Sequence, residues 1–180
     1  MSVRPRRESD SGRLLGVARR VHATDGYPPY FPALDFDALL FGHPKLDAWV
    51  CEVDEQIVGQ VALHPHTGER AMALAASALG VSTDRLGVVA RLMVDPDCRR
   101  RGVGKALLEE AASGAVARGL FPMLDVATRL QPAIGLYERC GWRRAGEVSL
   151  HFADGTTLDE FVYLAPPALG PGPHPGPSDG

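Results

Sequence analysis

Apolar positions along the chain recur with two periods, and the period changes at turn residues. Residues 2–6 read as a short strand. Behind Ser9 or Asp10, either of which suits a helix cap, Leu14, Leu15, Ala18 and Val21 form one stripe at helical spacing. A second short helix fits 37–42. Runs 48–53 and 56–63 are a strand pair around Asp54-Glu55. Met72, Leu74, Leu79 and several alanines predict a helix near 69–79, closed by Gly80. Runs 88–94 and 121–127 have the length of buried strands, and the segment between them predicts a helix from about 103 to 118. Residues 131–140 form a shorter helix with Ala133, Ile134, Leu136 and Tyr137 on its apolar side; Gly141 ends it and Trp142 opens a further strand. Strands 147–152 and 158–164 flank Ala153-Asp154-Gly155-Thr156, a hairpin signal. The order βααββ(α)βαβαββ predicts an α/β sandwich around a mixed sheet.

Two stretches break the pattern. Asp25-Gly26-Tyr27-Pro28-Pro29-Tyr30-Phe31-Pro32 cannot continue a helix. Residues 166–180 are dominated by proline and glycine and are expected to be disordered. The remainder, 1–165, is expected to be a single domain. With 180 residues, 45% hydrophobic and 23% charged, the chain can bury one sizeable core. A net charge of −3 argues against a nucleic-acid partner. The first residues lack an apolar core and no stretch reaches spanning length, so neither signal peptide nor membrane is expected. Cys51, Cys98 and Cys140 are odd in number and scattered, which suits reduced thiols and a cytoplasmic location. His64-Pro65-His66 does not have the spacing of a metal set, and no metal site is expected.

The chemistry concentrates after strand 88–94. Asp95-Pro96 stops the strand; Arg99, Arg100, Arg101, Gly102, Val103, Gly104 and Lys105 follow, and a helix begins. Strand, basic glycine-rich turn and helix offer unpartnered backbone N–H groups and a favourable dipole to a phosphate. A GxxxxGK[ST] loop fails at Arg99 and at Ala106. A GxGxxG fingerprint fails at Leu107. A third template, (Q/R)xxGx(G/A) behind a strand ending L-x-V, fits Arg99, Gly102 and Gly104.

With this loop the chain resembles the GCN5-related N-acetyltransferases, the GNAT family. Residues 133–142, Ala-Ile-Gly-Leu-Tyr-Glu-Arg-Cys-Gly-Trp, are similar to the family's A-x-x-L-Y-E-x-x-G-F segment, in the right order and at plausible spacing. The resemblance implies a mixed, mostly antiparallel twisted sheet with helices on both faces. It also makes 67–87 a helical insertion where a tight hairpin is usual. It implies transfer of an acetyl group from acetyl-CoA, as co-substrate, to a primary amine. Leu92, Met93 and Val94 would face the pantetheine arm and thioester, and Arg99 to Lys105 the pyrophosphate. Tyr137 would protonate the departing thiolate.

The sequence also departs from the family's pattern. The position of a glutamate base found in histone-type members falls near Val88, which cannot accept a proton. A water held by His64, Asp25 or Glu147 could act instead, or the amine could arrive neutral. The asparagine that often starts the helix before the tyrosine falls at Leu130, with Gln131 as its replacement. Arg91 and Asp125 are charges inside apolar strands. Either they pair across neighbouring strands, or Arg91 faces the acceptor and reads a carboxylate. A small-molecule amine acceptor would be enclosed by the 22–34 loop and the 67–87 insertion, with Asp25, Tyr27, Tyr30, His64 and Arg91 as candidate contacts. A protein N-terminus would need an open groove, and a CoA-sensing module without catalysis is the non-enzyme reading. A homodimer is compatible with any of these.

Overall fold

The structure, a computed structural model, describes residues 1–28 and 35–170. Its elements are β1 (Ser2–Pro5), α1 (Ser11–Asp25), α2 (Phe36–Phe41), β2 (Asp47–Val53), β3 (Gln56–His64), α3 (Glu69–Leu79), β4 (Leu86–Val94), α4 (Val103–Ala117), β5 (Phe121–Ala127), α5 (Gln131–Arg139), β6 (Arg143–His151) and β7 (Thr157–Leu164). The strands form one seven-stranded sheet in the order β1-β2-β3-β4-β5-β7-β6. Every neighbouring pair is antiparallel except β4 and β5, which are parallel.

Period-two alternation distributes the core over both faces of the sheet. Trp49 and Cys51 of β2 and Leu124 and Val126 of β5 join the cluster under α4 and α5. Val50, between the first two, packs with Leu14, Val17, Ala18 and Val21 of α1. Met123 packs with Ala71, Met72, Ala75 and Ala76 of α3, together with Leu86, Val88, Val162 and Leu164. One face of the sheet is therefore covered by α4 and α5, and the other by α1 and α3.

Local chemistry explains most boundaries. Asp54 and Glu55, both at positive φ, make the tight turn between β2 and β3. Asp35 caps α2 by accepting from the N–H groups of Asp37 and Ala38. Asp10 sits at the N-cap of α1, but its carboxylate is taken by Arg4 and by the Arg7 N–H instead of the helix. Gly80 closes α3 in the left-handed conformation. The strand opened by Trp142 and the run 147–152 are one strand, β6. Residues 166–170 are not a loose tail: Pro167–Leu169 is a turn of 3-10 helix, and Leu169 packs against the cluster under α4. Residues 171–180 lie outside the described residues. Among the described residues no helix is long and apolar enough to cross a membrane.

The feature that creates the site is a parting of the sheet. β4 and β5 pair only from Leu86↔Phe121 to Val88↔Met123. Beyond Val88, β4 follows β3 and β5 follows β7, and a gap opens between them. The pairing of β4 with β3 shifts where Arg91 and Leu92 together oppose Val61, a β-bulge, and Arg91 takes a left-handed φ of 55°.

Candidate active site

The gap carries two cavities. The larger, of about 1000 Å³, lies between the end of β4, the start of α4 and α5. Leu92, Met93, Val94, Arg99, Arg100, Gly102, Gly104, Lys105 and Gln131 all line it, as do Arg139 and Tyr137. Gly102 caps α4 at φ 82°, a conformation that disfavours any side chain. The first intrahelical bond runs from Ala106 to Gly102, so the earlier N–H groups of α4 are free for an anion. A Cβ on Gly104 would lie 3.0 Å from Leu136, so this glycine seats α4 against α5. Cationic Arg99, Arg100, Lys105 and Arg139 surround the helix start, which suits a pyrophosphate. Of the other loop residues, Arg101 is exposed and does not line the cavity, and the Val103 side chain is buried in the core.

Asp25 lines this cavity too, and is the acidic residue of its wall. It holds Arg99 in a two-pronged pair, with Nη1–Oδ1 at 3.0 Å and Nη2–Oδ2 at 2.5 Å. A turn earlier on α1, Arg20 pairs with Asp95. The end of α1 is thus tied to the loop between β4 and α4, and Asp25 lines the larger cavity with Arg99. Gln131 donates from Nε2 to the Thr128 carbonyl, 2.8 Å away, at the start of α5.

The smaller cavity, of about 220 Å³, is lined by Tyr27, Pro28, Arg91, Leu92, Asp125, Ala133, Tyr137, Leu158 and Glu160, among others. Leu92, Ala133 and Tyr137 border both cavities, so the two meet there. Tyr137 is 7% exposed and packs between Trp142 and Tyr163. Its hydroxyl has no hydrogen-bond partner among the described residues, and burial raises its pKa above that of an ordinary phenol.

Arg91 and Asp125 do not pair. No ion pair within 4.0 Å joins them, because their strands have already parted. Asp125 instead accepts from the Thr67 hydroxyl at 2.6 Å, and burial raises its pKa. The Arg91 Nε is buried without a partner among the described residues. Glu160 is the diagonal neighbour of Asp125 on the same face, since Asp125 opposes Val162 and Ala127 opposes Glu160. Burial, reinforced by the charge of Asp125, pushes the pKa of Glu160 up to about 7.

His64 does not reach either cavity. It ends β3 opposite Val88, with its ring 6.4 Å from that of His43, and burial pushes its pKa down to about 4. Glu147 is exposed on β6 and Val88 is buried. Tyr30 lies outside the described residues. The sequence reading missed Glu160, although by alternation it shares a face with Val162 and Leu164, an acid on a core-facing row. It also missed Thr67 and Arg139.

A mixed sheet that parts beside a glycine-led helix, with a basic cleft on one side of a tyrosine and an acidic pocket on the other, defines an enzyme that brings a phosphate-bearing donor to a second substrate. The acetyltransferase (GNAT) family model matches residues 16–142, and the chain belongs to that family. It is an acetyl-CoA-dependent N-acetyltransferase. An N-alpha-acetyltransferase from Sulfurisphaera tokodaii is 25% identical over 169 residues, covering 91% of this chain and 92% of its own. The ribosomal-protein-S18-alanine N-acetyltransferase from Escherichia coli superposes with a TM-score of 0.66 at 19% identity, over 97% of both chains. NAA60 from Arabidopsis thaliana, solved with acetyl-CoA, gives 0.65 at 21% identity, over 91% of this chain and 96% of its own.

Proposed function

We propose that this enzyme acetylates the primary amine of a small molecule held in the 220 Å³ pocket, with Glu160 as base and Tyr137 as acid. The observation that carries the reading is the meeting of the two cavities at Tyr137. In this reading the larger cleft holds acetyl-CoA: the N–H groups opening α4 take its pyrophosphate, and the open edge of β4 at Leu92, Met93 and Val94 takes its arm. Acetyl-CoA supplies an activated thioester carbonyl. Glu160 takes a proton from the ammonium group of the acceptor. The freed nitrogen attacks the carbonyl carbon, a C–N bond forms, and a second N–H proton passes to solvent as the C–S bond breaks. Tyr137 gives its proton to the departing sulfur and is reprotonated from solvent, Glu160 releases its proton to solvent, and the products are an N-acetyl amine, CoA and one proton. A base with a pKa near 7 is matched to neutral pH, and a phenol that stays protonated is matched to donation. The size of the pocket favours a small acceptor. The family relationship to an N-alpha-acetyltransferase supports a polypeptide α-amine as the second reading.

The test is release of CoA from acetyl-CoA, with mass-spectrometric identification of the acetylated product, across small primary amines and short peptides. Turnover of small amines above the rate with peptides is expected. Turnover confined to peptides would replace the small-molecule reading with the second one.

A further inference from the structure

The smaller cavity brings a guanidinium and two carboxyl groups together, and their arrangement says something about the acceptor beyond its size. Arg91 reaches it from the bulge of β4, while Asp125 and Glu160 reach it from β5 and β7 across the gap. Thr67, at the entry to α3, holds one oxygen of Asp125. The guanidinium is close enough to act on both carboxylates through space but makes no ion pair with either. Its Nε is buried and has no acceptor among the described residues. Burying a charged group is costly, and an anion brought by a ligand to the part of Arg91 that lines the cavity offsets that cost.

Resting on the small-acceptor reading, we infer that the acceptor is a zwitterion, a small amino acid whose carboxylate docks on Arg91 and whose amine docks at Asp125 and Glu160. One cation and two carboxylates on opposite walls match a dipolar ligand. A plain amine would bring no anion to Arg91. A carboxylic acid without an amine would face two carboxylates. A cavity of 220 Å³ has the room of about seven waters, which suits an amino acid with a short side chain. Tyr27, Leu130 and Leu158 give that side chain an apolar wall. The planar fork of arginine is the group best shaped for a carboxylate.

The experiment compares glycine, alanine, serine, threonine and methionine with their primary amides as acceptors, by CoA release from the full chain. The free acids are expected to exceed the amides roughly ten- to a hundredfold in kcat/KM, the worth of a charged hydrogen bond. Arg91→Gln should erase that preference by slowing the acids at least about tenfold more than the amides, and Arg91→Lys should keep part of it. Arg91 does not line the acetyl-CoA cleft, so an unchanged acetyl-CoA affinity by calorimetry certifies that a variant is folded. Amides used as well as acids, or a preference that survives in folded Arg91→Gln, would overturn the inference and leave the small-amine reading standing. No turnover of either series, with turnover of peptides, would overturn both.

Discussion

In the proposed mechanism Tyr137 has two demands to meet. A proton donor must stay protonated, yet must reach a sulfur at the end of a flexible arm. Burial between Trp142 and Tyr163 raises the phenol's pKa while leaving its hydroxyl at the junction of the cavities. A thiol has a pKa of about 8.5, so the thiolate can leave without absolute need of an acid. Tyr137→Phe should therefore lower kcat roughly ten- to a thousandfold, the usual range for general acid catalysis, with little change in acetyl-CoA affinity by calorimetry. Full activity of the variant would reduce Tyr137 to a packing residue. Glu160 and His64 make a second prediction, through pH. Between pH 4.5 and about 7 folded Glu160 keeps a proton that the unfolded chain has lost, so its contribution to stability falls as pH rises through that window. His64 is opposite in sign: between about 4 and 6.5 the unfolded chain binds a proton that the folded chain refuses, so stability falls as pH drops. Urea midpoints from pH 4 to 8 should show Glu160→Gln gaining on the native chain up to about pH 7. They should also show His64→Gln losing less than the native chain on acidification. Tyr137 was readable because it sits in a motif. Glu160 was not, because Asp159 beside it makes the alternation ambiguous: either acid could face out.

At the scale of elements, periodicity placed the helices and strands to within a few residues, because each carries its own apolar stripe and its own stop. The helix at 69–79 is an example: alanines, Met72 and Leu74 lead to Gly80, and α3 ends at Leu79. Two features depend on contacts between distant segments and leave no local trace. One is how far β4 and β5 stay paired. Both are continuous apolar runs, and full pairing, with Arg91 beside Asp125, was as consistent with the sequence as the early parting that occurs. The other is the end of the described chain. Composition reads 166–170 as loose, yet Leu169 finds the cluster under α4 and Pro166 lies against Gly141. A half-buried leucine contributes about 1 kcal/mol, and each 1 kcal/mol moves the melting temperature of a domain this size by about 2–4 °C. Truncation after Ala165 should thus lower Tm by a few degrees, measurable by calorimetric scanning. An unchanged Tm would mean that the packing of Leu169 adds nothing to stability.

Taken whole, the molecule separates its two substrates by layers on the proposed reading. The larger cleft opens beside α4 and α5, and Asp125 and Glu160 belong to the face that α3 covers, so acetyl transfer would run through the gap in the sheet. The parting that permits this has another consequence. Residues 89–94 of β4 form an edge strand in the middle of a sheet, with backbone groups that no neighbouring strand takes up on the β5 side. Edge positions are normally blunted or covered. Here the covering is the donor's own arm, on the proposed reading. Amide hydrogen–deuterium exchange should report it directly. In the free enzyme the gap-facing amides of 89–94 should exchange much faster than those of β3, which is paired on both sides, and saturating acetyl-CoA should slow them selectively. Equal protection with and without acetyl-CoA would mean that the exposed edge is not where the donor adds its backbone-like pairing. If protection does rise there, substrate completes the sheet, and the fold's interrupted hydrogen-bond ladder is finished only while the enzyme is at work.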